Sequence, residues 1–288
     1  MTSTLATPDV DAGPLAGKGE PRSLLHYPGA KAGAGVIQTL INNIPPCDTF
    51  IEAFAGTGFL THSLRPAAST IIIDADAAVC ETLRLSFIGP RAPSVEQTAW
   101  DFGAAETNAN TRGLRIVRAD AVRWLEAHRA QFDWRTVIYF DPPYLVNRHG
   151  EARRDYYDHE FKTGEEHLEL LKLLSRLACQ EVKCLISGYR CPIYDSLLEH
   201  WRRVDYTTGT RGGPVTESLW CNFDEPEALH DYRYLGKNFR ERERIKRKQK
   251  RWRGKLERMT PLERAGIVEA VRDLIDGTGE GAGGTERE

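Results

Sequence analysis

The chain predicts a doubly wound α/β sheet with an antiparallel hairpin at one edge, followed by a separate helical extension. Three observations lead there. Short apolar segments alternate with helical patterns. The apolar segments lack the polar alternation of a half-exposed strand. Beyond Gly236 the composition changes abruptly to charge.

Five segments read as strands: 49–54 (TFIEAF), 70–74 (TIIID), 114–117 (LRIV), 136–140 (TVIYF) and 182–187 (VKCLIS). Each is rich in β-branched or apolar residues without period-two alternation, as expected of strands covered on both faces of a parallel sheet. The clearest helix between them is TGEEHLELLKLLSRLA. Thr163 and Glu166 have the spacing of a capping box, and Leu168, Leu171, Leu174 and Leu177 or Ala178 mark the predicted inner face. Such alternation of strand and helix gives a doubly wound sheet. Residues 203–223, with a Gly212-Gly213-Pro214 turn, predict the edge hairpin.

The boundaries expected are a tail over 1–22, a catalytic-sized domain over 23–235, a basic helical extension over 236–275 and a second tail over 276–288. Both tails are Gly-rich and are expected to be disordered. In the extension, Thr260 and Glu263 form another capping box around Pro261. Twelve Lys/Arg and three Glu between Lys237 and Arg258 net +9, which leaves −11 for the rest of a chain whose total is −2. That polarity favours an anionic partner met at one place. The six cysteines show no CxxC pair, so packed, reduced thiols are expected and no metal is called for. Without an apolar run long enough to cross a bilayer, the chain reads as a soluble, cytoplasmic protein.

The chemistry-bearing residues fall at the carboxyl ends of the predicted strands, where an α/β sheet binds ligands. After the first strand comes Glu52-Ala53-Phe54-Ala55-Gly56-Thr57-Gly58, a tight glycine turn. Asp74 ends the second strand, where an acid can accept from ribose hydroxyls; Asp76 is the better N-cap of the helix that follows. Asp120 follows the third strand, and capping and ligand contact both suit it. After the fourth strand comes Asp141-Pro142-Pro143-Tyr144. The prolines fix the backbone and remove two N–H donors. A carboxylate and the Pro142 carbonyl then form a two-acceptor cradle suited to an amine conjugated to an aromatic ring. Tyr144 offers a face on which an extruded base could stack.

On these motifs the chain resembles the Dam-type family of AdoMet-dependent DNA adenine-N6 methyltransferases, its phage and prophage members especially. The resemblance covers about residues 23–223. Tyr27-Pro28-Gly29-Ala30-Lys31 is similar to that family's amino-terminal motif, which implies that Tyr27 and Lys31 help hold AdoMet. Glu52, Phe54, Gly56 and Gly58 match its cofactor loop, Asp74 its ribose-binding acid, and Asp120 the acid near the cofactor's adenine. Asp141, Pro142, Pro143 and Tyr144 match its catalytic tetrad unaltered, and Gly209 to Gly213 with Glu217 to Trp220 its late hairpin. A Rossmann-like methyltransferase sheet and S-adenosyl-L-methionine as cofactor are what the resemblance implies.

Two departures stand out. Ala30 and Ala53 replace the family's glycine and proline. Only about 38 residues separate Asp76 from Arg115, where the family carries its target-recognition domain, so no target sequence is transferred. Candidates for DNA contact are Arg148, Arg153 and Arg154 beside Tyr156 and Tyr157, Arg211 in the hairpin turn, and Arg247 and Arg251 on the basic helix, with Trp252 a candidate anchor to the body. The expected partner is double-stranded DNA with one base flipped, with or without a restriction endonuclease. Methylation of the cytosine exocyclic amine would use the same cradle. A non-catalytic AdoMet- or DNA-binding module is the other alternative. Ring-carbon methylation needs a cysteine nucleophile, and the single Pro-Cys pair, Pro46-Cys47, precedes the cofactor loop.

Overall fold

A computed structural model describes residues 35–89, 113–145, 163–210 and 213–276. Its centre is a seven-stranded sheet in the order β3-β2-β1-β4-β5-β7-β6. The strands are β1 (Thr49–Ala53), β2 (Ser69–Asp74), β3 (Leu114–Arg118), β4 (Thr136–Phe140), β5 (Lys183–Gly188), β6 (Arg202–Thr210) and β7 (Gly213–Cys221). The first five pair in parallel, and β7 runs antiparallel to both β5 and β6. Every predicted strand is present within a residue or two at each end, and the hairpin lies at the expected edge.

The parallel strands read as apolar runs because both faces are covered. On one face Ile51, Ile71, Val117, Ile138 and Ile186 pack with Trp124 of α4 (Ala121–His128) and Leu170, Leu174 and Leu177 of α5 (Gly164–Ala178). On the other, Phe50, Val137, Tyr139, Leu185 and Leu219 pack with α1 (Val36–Ile41) and with Leu60 of α2 (Phe59–Ser63). Helix α3 (Ala77–Phe87) covers Ile72 and Ile116. A short α6 (Pro192–Leu197) joins β5 to the hairpin.

The Thr163 capping box forms, but the inner face of α5 differs from the expectation in one residue. Leu168 is 37% exposed. His167, Leu170, Leu171, Leu173, Leu174 and Leu177 are buried instead.

The chain then runs into α7 (Phe239–Glu257) and α8 (Pro261–Asp276). The second capping box closes as expected: the Thr260 N–H donates to Glu263 at 2.8 Å and the Glu263 N–H to Thr260 Oγ1 at 3.3 Å. No residue of α7 is buried. Trp252 is 46% exposed and lies under Lys255 Nζ at 4.8 Å, a contact within α7 itself. Glu243 pairs with Lys246 three residues on, at 4.0 Å. Among the described residues no helix is long and apolar enough to cross a membrane.

Candidate active site

The chain lays down β1, β2 and β3 in one direction, then returns past β1 to place β4 on its other side. The carboxyl ends of β1 and β4 therefore diverge into a crevice at the topological switch point, where doubly wound sheets bind ligands. Ala53 pairs with Phe140 at the end of this register, and the Asp141 N–H donates to the Ala53 carbonyl at 3.3 Å. The glycine loop and the Asp141 tetrad thus leave adjacent strands side by side.

The glycine loop is held in an uncommon backbone shape. Phe54 has φ 59°, a left-handed conformation costing a non-glycine residue roughly 1–3 kcal/mol and concentrated at ligand sites. Gly56 and Gly58 follow at φ 52° and 61°. At Gly58 a Cβ would also lie 2.6 Å from Leu83 Cδ2 of α3, so a side chain there would have to displace that leucine as well as adopt the left-handed conformation. Asp74 fixes the loop from β2. One of its oxygens accepts the Gly56 N–H and the other the Asp76 N–H, each at 2.9 Å. Burial raises the Asp74 pKa, against the opposing pull of the Asp76 and Gly56 N–H groups. Asp74 sits where the ribose-binding acid was expected, and it also does local work that the sequence does not reveal.

Glu52 lies beneath the loop, 3% exposed. Its carboxylate accepts the Thr61 N–H at 2.9 Å and the Thr61 hydroxyl, capping α2 from the neighbouring strand. Burial pushes its pKa up to about 7, and the nearby Asp141 adds to the rise while the Thr61 donors oppose it. Asp120 is the exposed N-cap of α4, its carboxylate accepting the Arg123 N–H at 2.8 Å. Asp76 caps α3, as its position in the sequence suggests.

The tetrad is wired to its neighbours from several sides. Ser187 of β5 donates to Asp141 Oδ1 at 2.8 Å, and Tyr139 of β4 lies 2.9 Å from the same Ser187 oxygen. Since the serine proton goes to Asp141, the tyrosine proton goes to Ser187. The Tyr144 hydroxyl lies 2.9 Å from Glu217 Oε2 of β7 and 3.4 Å from Asp141 Oδ1. The Tyr206 hydroxyl of β6 donates to the same Glu217 oxygen at 3.0 Å. Behind the tetrad, fully buried His167 is bonded to the backbone of Pro143, and its Nδ1 lies 3.0 Å from the Tyr194 hydroxyl. Burial lowers its pKa to about 4, so the imidazole is neutral at physiological pH.

Ser187, Tyr206, Glu217 and His167 belong to the site, though the motifs assign them no role. A faint trace is present in the sequence. Glu52, Tyr139, Ser187, Glu217 and Tyr206 all fall on the strand parity that faces α1 and α2, a row of polar side chains crossing an otherwise apolar face. Buried polar groups persist only when bonded. Such a row therefore marks a built site.

Arg247 and Arg251 are exposed, one turn apart on α7. Tyr27, Lys31, Arg148, Arg153, Arg154 and Arg211 lie outside the described residues. Cys47, at the amino end of β1, faces away from the strand ends that form the site. Its thiol lies 3.5 Å from His230 Nδ1, and burial pushes its pKa up to about 12, the opposite of what a nucleophile needs.

Fold and site together define a doubly wound α/β protein with Glu52, Asp74 and Asp141 at the carboxyl ends of β1, β2 and β4, beside the topological switch point. No family model matches the chain, and no curated protein matches it in sequence. Among solved structures it is similar to a SAM-dependent methyltransferase from Agrobacterium tumefaciens. That likeness has 16% identity, 64% of this chain and 58% of that one covered, and a TM-score of 0.38. It is also similar to a dimethyladenosine transferase from Plasmodium falciparum, at 14% identity, 64% and 60% coverage and a TM-score of 0.36. A precorrin 8w decarboxylase from Methanobacterium thermoautotrophicum scores alike, at 10% identity, 65% and 89% coverage and a TM-score of 0.36. Likeness at this level specifies neither cofactor nor substrate.

Proposed function

We propose that the chain is a DNA methyltransferase that moves a methyl group from AdoMet to the exocyclic N6 amine of a flipped-out adenine. The observation that carries this reading is the Asp141 tetrad itself. It stands at the switch-point crevice, beside the glycine loop and with the Ser187 hydroxyl bonded to its carboxylate.

The residues present fit the cofactor. The crevice offers Asp74 and backbone groups of a loop narrowed by Gly56 and Gly58, a donor and acceptor set matched to ribose hydroxyls and to a cationic centre. When bound, AdoMet supplies the electrophilic methyl group on its sulfonium. Asp141 and the Pro142 carbonyl accept the two amine hydrogens and draw lone-pair density onto the nitrogen. On transfer to that nitrogen the methyl would leave the cofactor's sulfur, and the proton the nitrogen then sheds would pass to the Asp141 carboxylate beside it. Tyr144 stacks against the base, and the closeness and alignment of the reactants supply much of the acceleration. The exposed arginines and lysines of α7 contact backbone phosphates, giving affinity that falls with salt and carries no sequence information.

The test is Asp141→Ala in the full-length protein. Methyl transfer to DNA should fall by at least about a thousandfold, while AdoMet affinity and DNA retention change little. Equal transfer by mutant and wild type would remove the tetrad from the chemistry.

A further inference from the structure

The motifs explain why a tyrosine follows the two prolines but not what orients its ring. We propose that Glu217 is a positioning residue for Tyr144: its carboxylate, shared with Tyr206, ties down the phenol so that Tyr144 serves through its ring face and not through its hydroxyl. The inference rests on the methyltransferase reading above and deepens it.

Three observations carry it. The first is the bonding. Tyr144 has one hydroxyl proton and two carboxylates within reach, Glu217 Oε2 at 2.9 Å and Asp141 Oδ1 at 3.4 Å. The shorter contact takes the proton, and Asp141 Oδ1 is supplied by Ser187 at 2.8 Å instead. The second is burial. Glu217 is 6% exposed and Tyr206 8%, so the two phenols satisfy a carboxylate that is nearly shut off from water. The third is the ring's own packing. Tyr189 packs against it in a T-shaped arrangement, 4.9 Å between centroids and 74° between planes, and a Cβ at Gly188 would lie 3.9 Å from Tyr144 Cδ1. The ring is thus held at its hydroxyl end and by its packing. Glu217 comes from β7, far along the chain from the tetrad, so only the antiparallel hairpin brings it there. Burial, with Asp141, Tyr206 and Glu217 nearby, also raises the Tyr144 pKa well above its usual value, which suits a phenol that stays protonated throughout turnover.

The experiment compares Glu217→Ala, Tyr144→Phe, their double variant and Tyr144→Ala in the full-length protein, with undermethylated genomic DNA and labelled AdoMet. Tyr144→Phe and Glu217→Ala should each lower kcat/KM for DNA by about ten- to a hundredfold, with AdoMet affinity and the pH profile unmoved. The double variant should be no worse than the poorer single variant, because both remove the same bond. Tyr144→Ala, which removes the face, should fall below all of these. Crystals should show the Tyr144 ring turned from its present place in Glu217→Ala and kept in place in Glu217→Gln, whose amide oxygen still accepts the phenol. Independent, multiplicative losses in the double variant would overturn the proposal. So would a Tyr144→Phe variant as inactive as Tyr144→Ala, or an unmoved ring in Glu217→Ala. A wild-type protein that transfers no label to DNA would sink the methyltransferase reading and this inference with it. An active wild type with multiplicative variants would sink the inference alone.

Discussion

The carboxyl end of the sheet and the paired helices α7 and α8 are built on opposite terms. At the sheet end, carboxylates that are buried or half-buried are each held by neighbouring donors. Glu52 has the Thr61 N–H and hydroxyl, Glu217 has two phenols, and Asp141 has at least the Ser187 hydroxyl. In the extension no residue of α7 is buried, and Leu262, Leu274 and Ile275 of α8 are 85%, 78% and 76% exposed. Geometry at the first region is over-determined, so chemistry that needs alignment to a fraction of an ångström belongs there. The second region presents charge on a helix held by its own caps and local pairs. It suits contacts that tolerate misplacement, and phosphate binding is one of them.

Three sets of variants put that contrast at risk. The greatest loss of stability should come from one member of a matched pair of leucines. Leu174 is fully buried in the main core, so Leu174→Ala should destabilise by about 2–5 kcal/mol in denaturant unfolding. Leu274→Ala, at an exposed site, should stay within about 0.5 kcal/mol. A comparable loss at both would mean that α8 is packed against something.

Next comes the pH dependence set by Glu52. Burial holds its pKa at about 7 against an ordinary 4.5, so the folded state favours the protonated form. The stability this gives is complete below the ordinary value and is lost as pH rises through the folded one. Between about pH 5 and pH 8 the wild type should lose roughly 2–3 kcal/mol from this group. Glu52→Gln cannot ionise and should flatten that slope while keeping an acceptor for Thr61. An unchanged slope would contradict the burial argument.

The weakest effect on folding is electrostatic. Arg247→Gln with Arg251→Gln should leave unfolding within about 0.5 kcal/mol of wild type. The salt dependence of DNA binding should flatten by about 0.9 for each phosphate that is no longer neutralised. A double variant that binds DNA with the wild-type salt slope would take α7 out of the interface.

How much of this was legible in the sequence follows from the physics of each part. The five parallel strands were legible because strands covered on both faces are short apolar runs rich in β-branched residues, and the hairpin because its Gly212-Gly213-Pro214 segment marks a turn. The caps at Thr163, Thr260 and Asp76 were legible because capping is local. The site was legible only where one short segment carries its own chemistry, as Asp141 to Tyr144 does. Ser187, His167, Tyr206 and Glu217 were not, because each joins the tetrad through strand register or through the way α5 docks. His167 even occupies a position that leucine periodicity would give to the core. Leu168 was misplaced for the same reason: spacing gives a helix face, but the neighbouring leucines at 170 and 173 decide where its centre falls. Asp74 was legible as an acid at a strand end, but its bond to the Gly56 N–H was not, since that depends on where the glycine loop turns.

The most direct test of the methylation claim uses full-length protein, undermethylated genomic DNA and labelled AdoMet, with the nucleosides separated by mass after digestion. Label is expected in N6-methyladenine. Label in N4-methylcytosine would overturn the choice of base and leave the amine cradle standing. No label in any base, with AdoMet bound, would contradict the central claim that the Asp141 crevice methylates DNA.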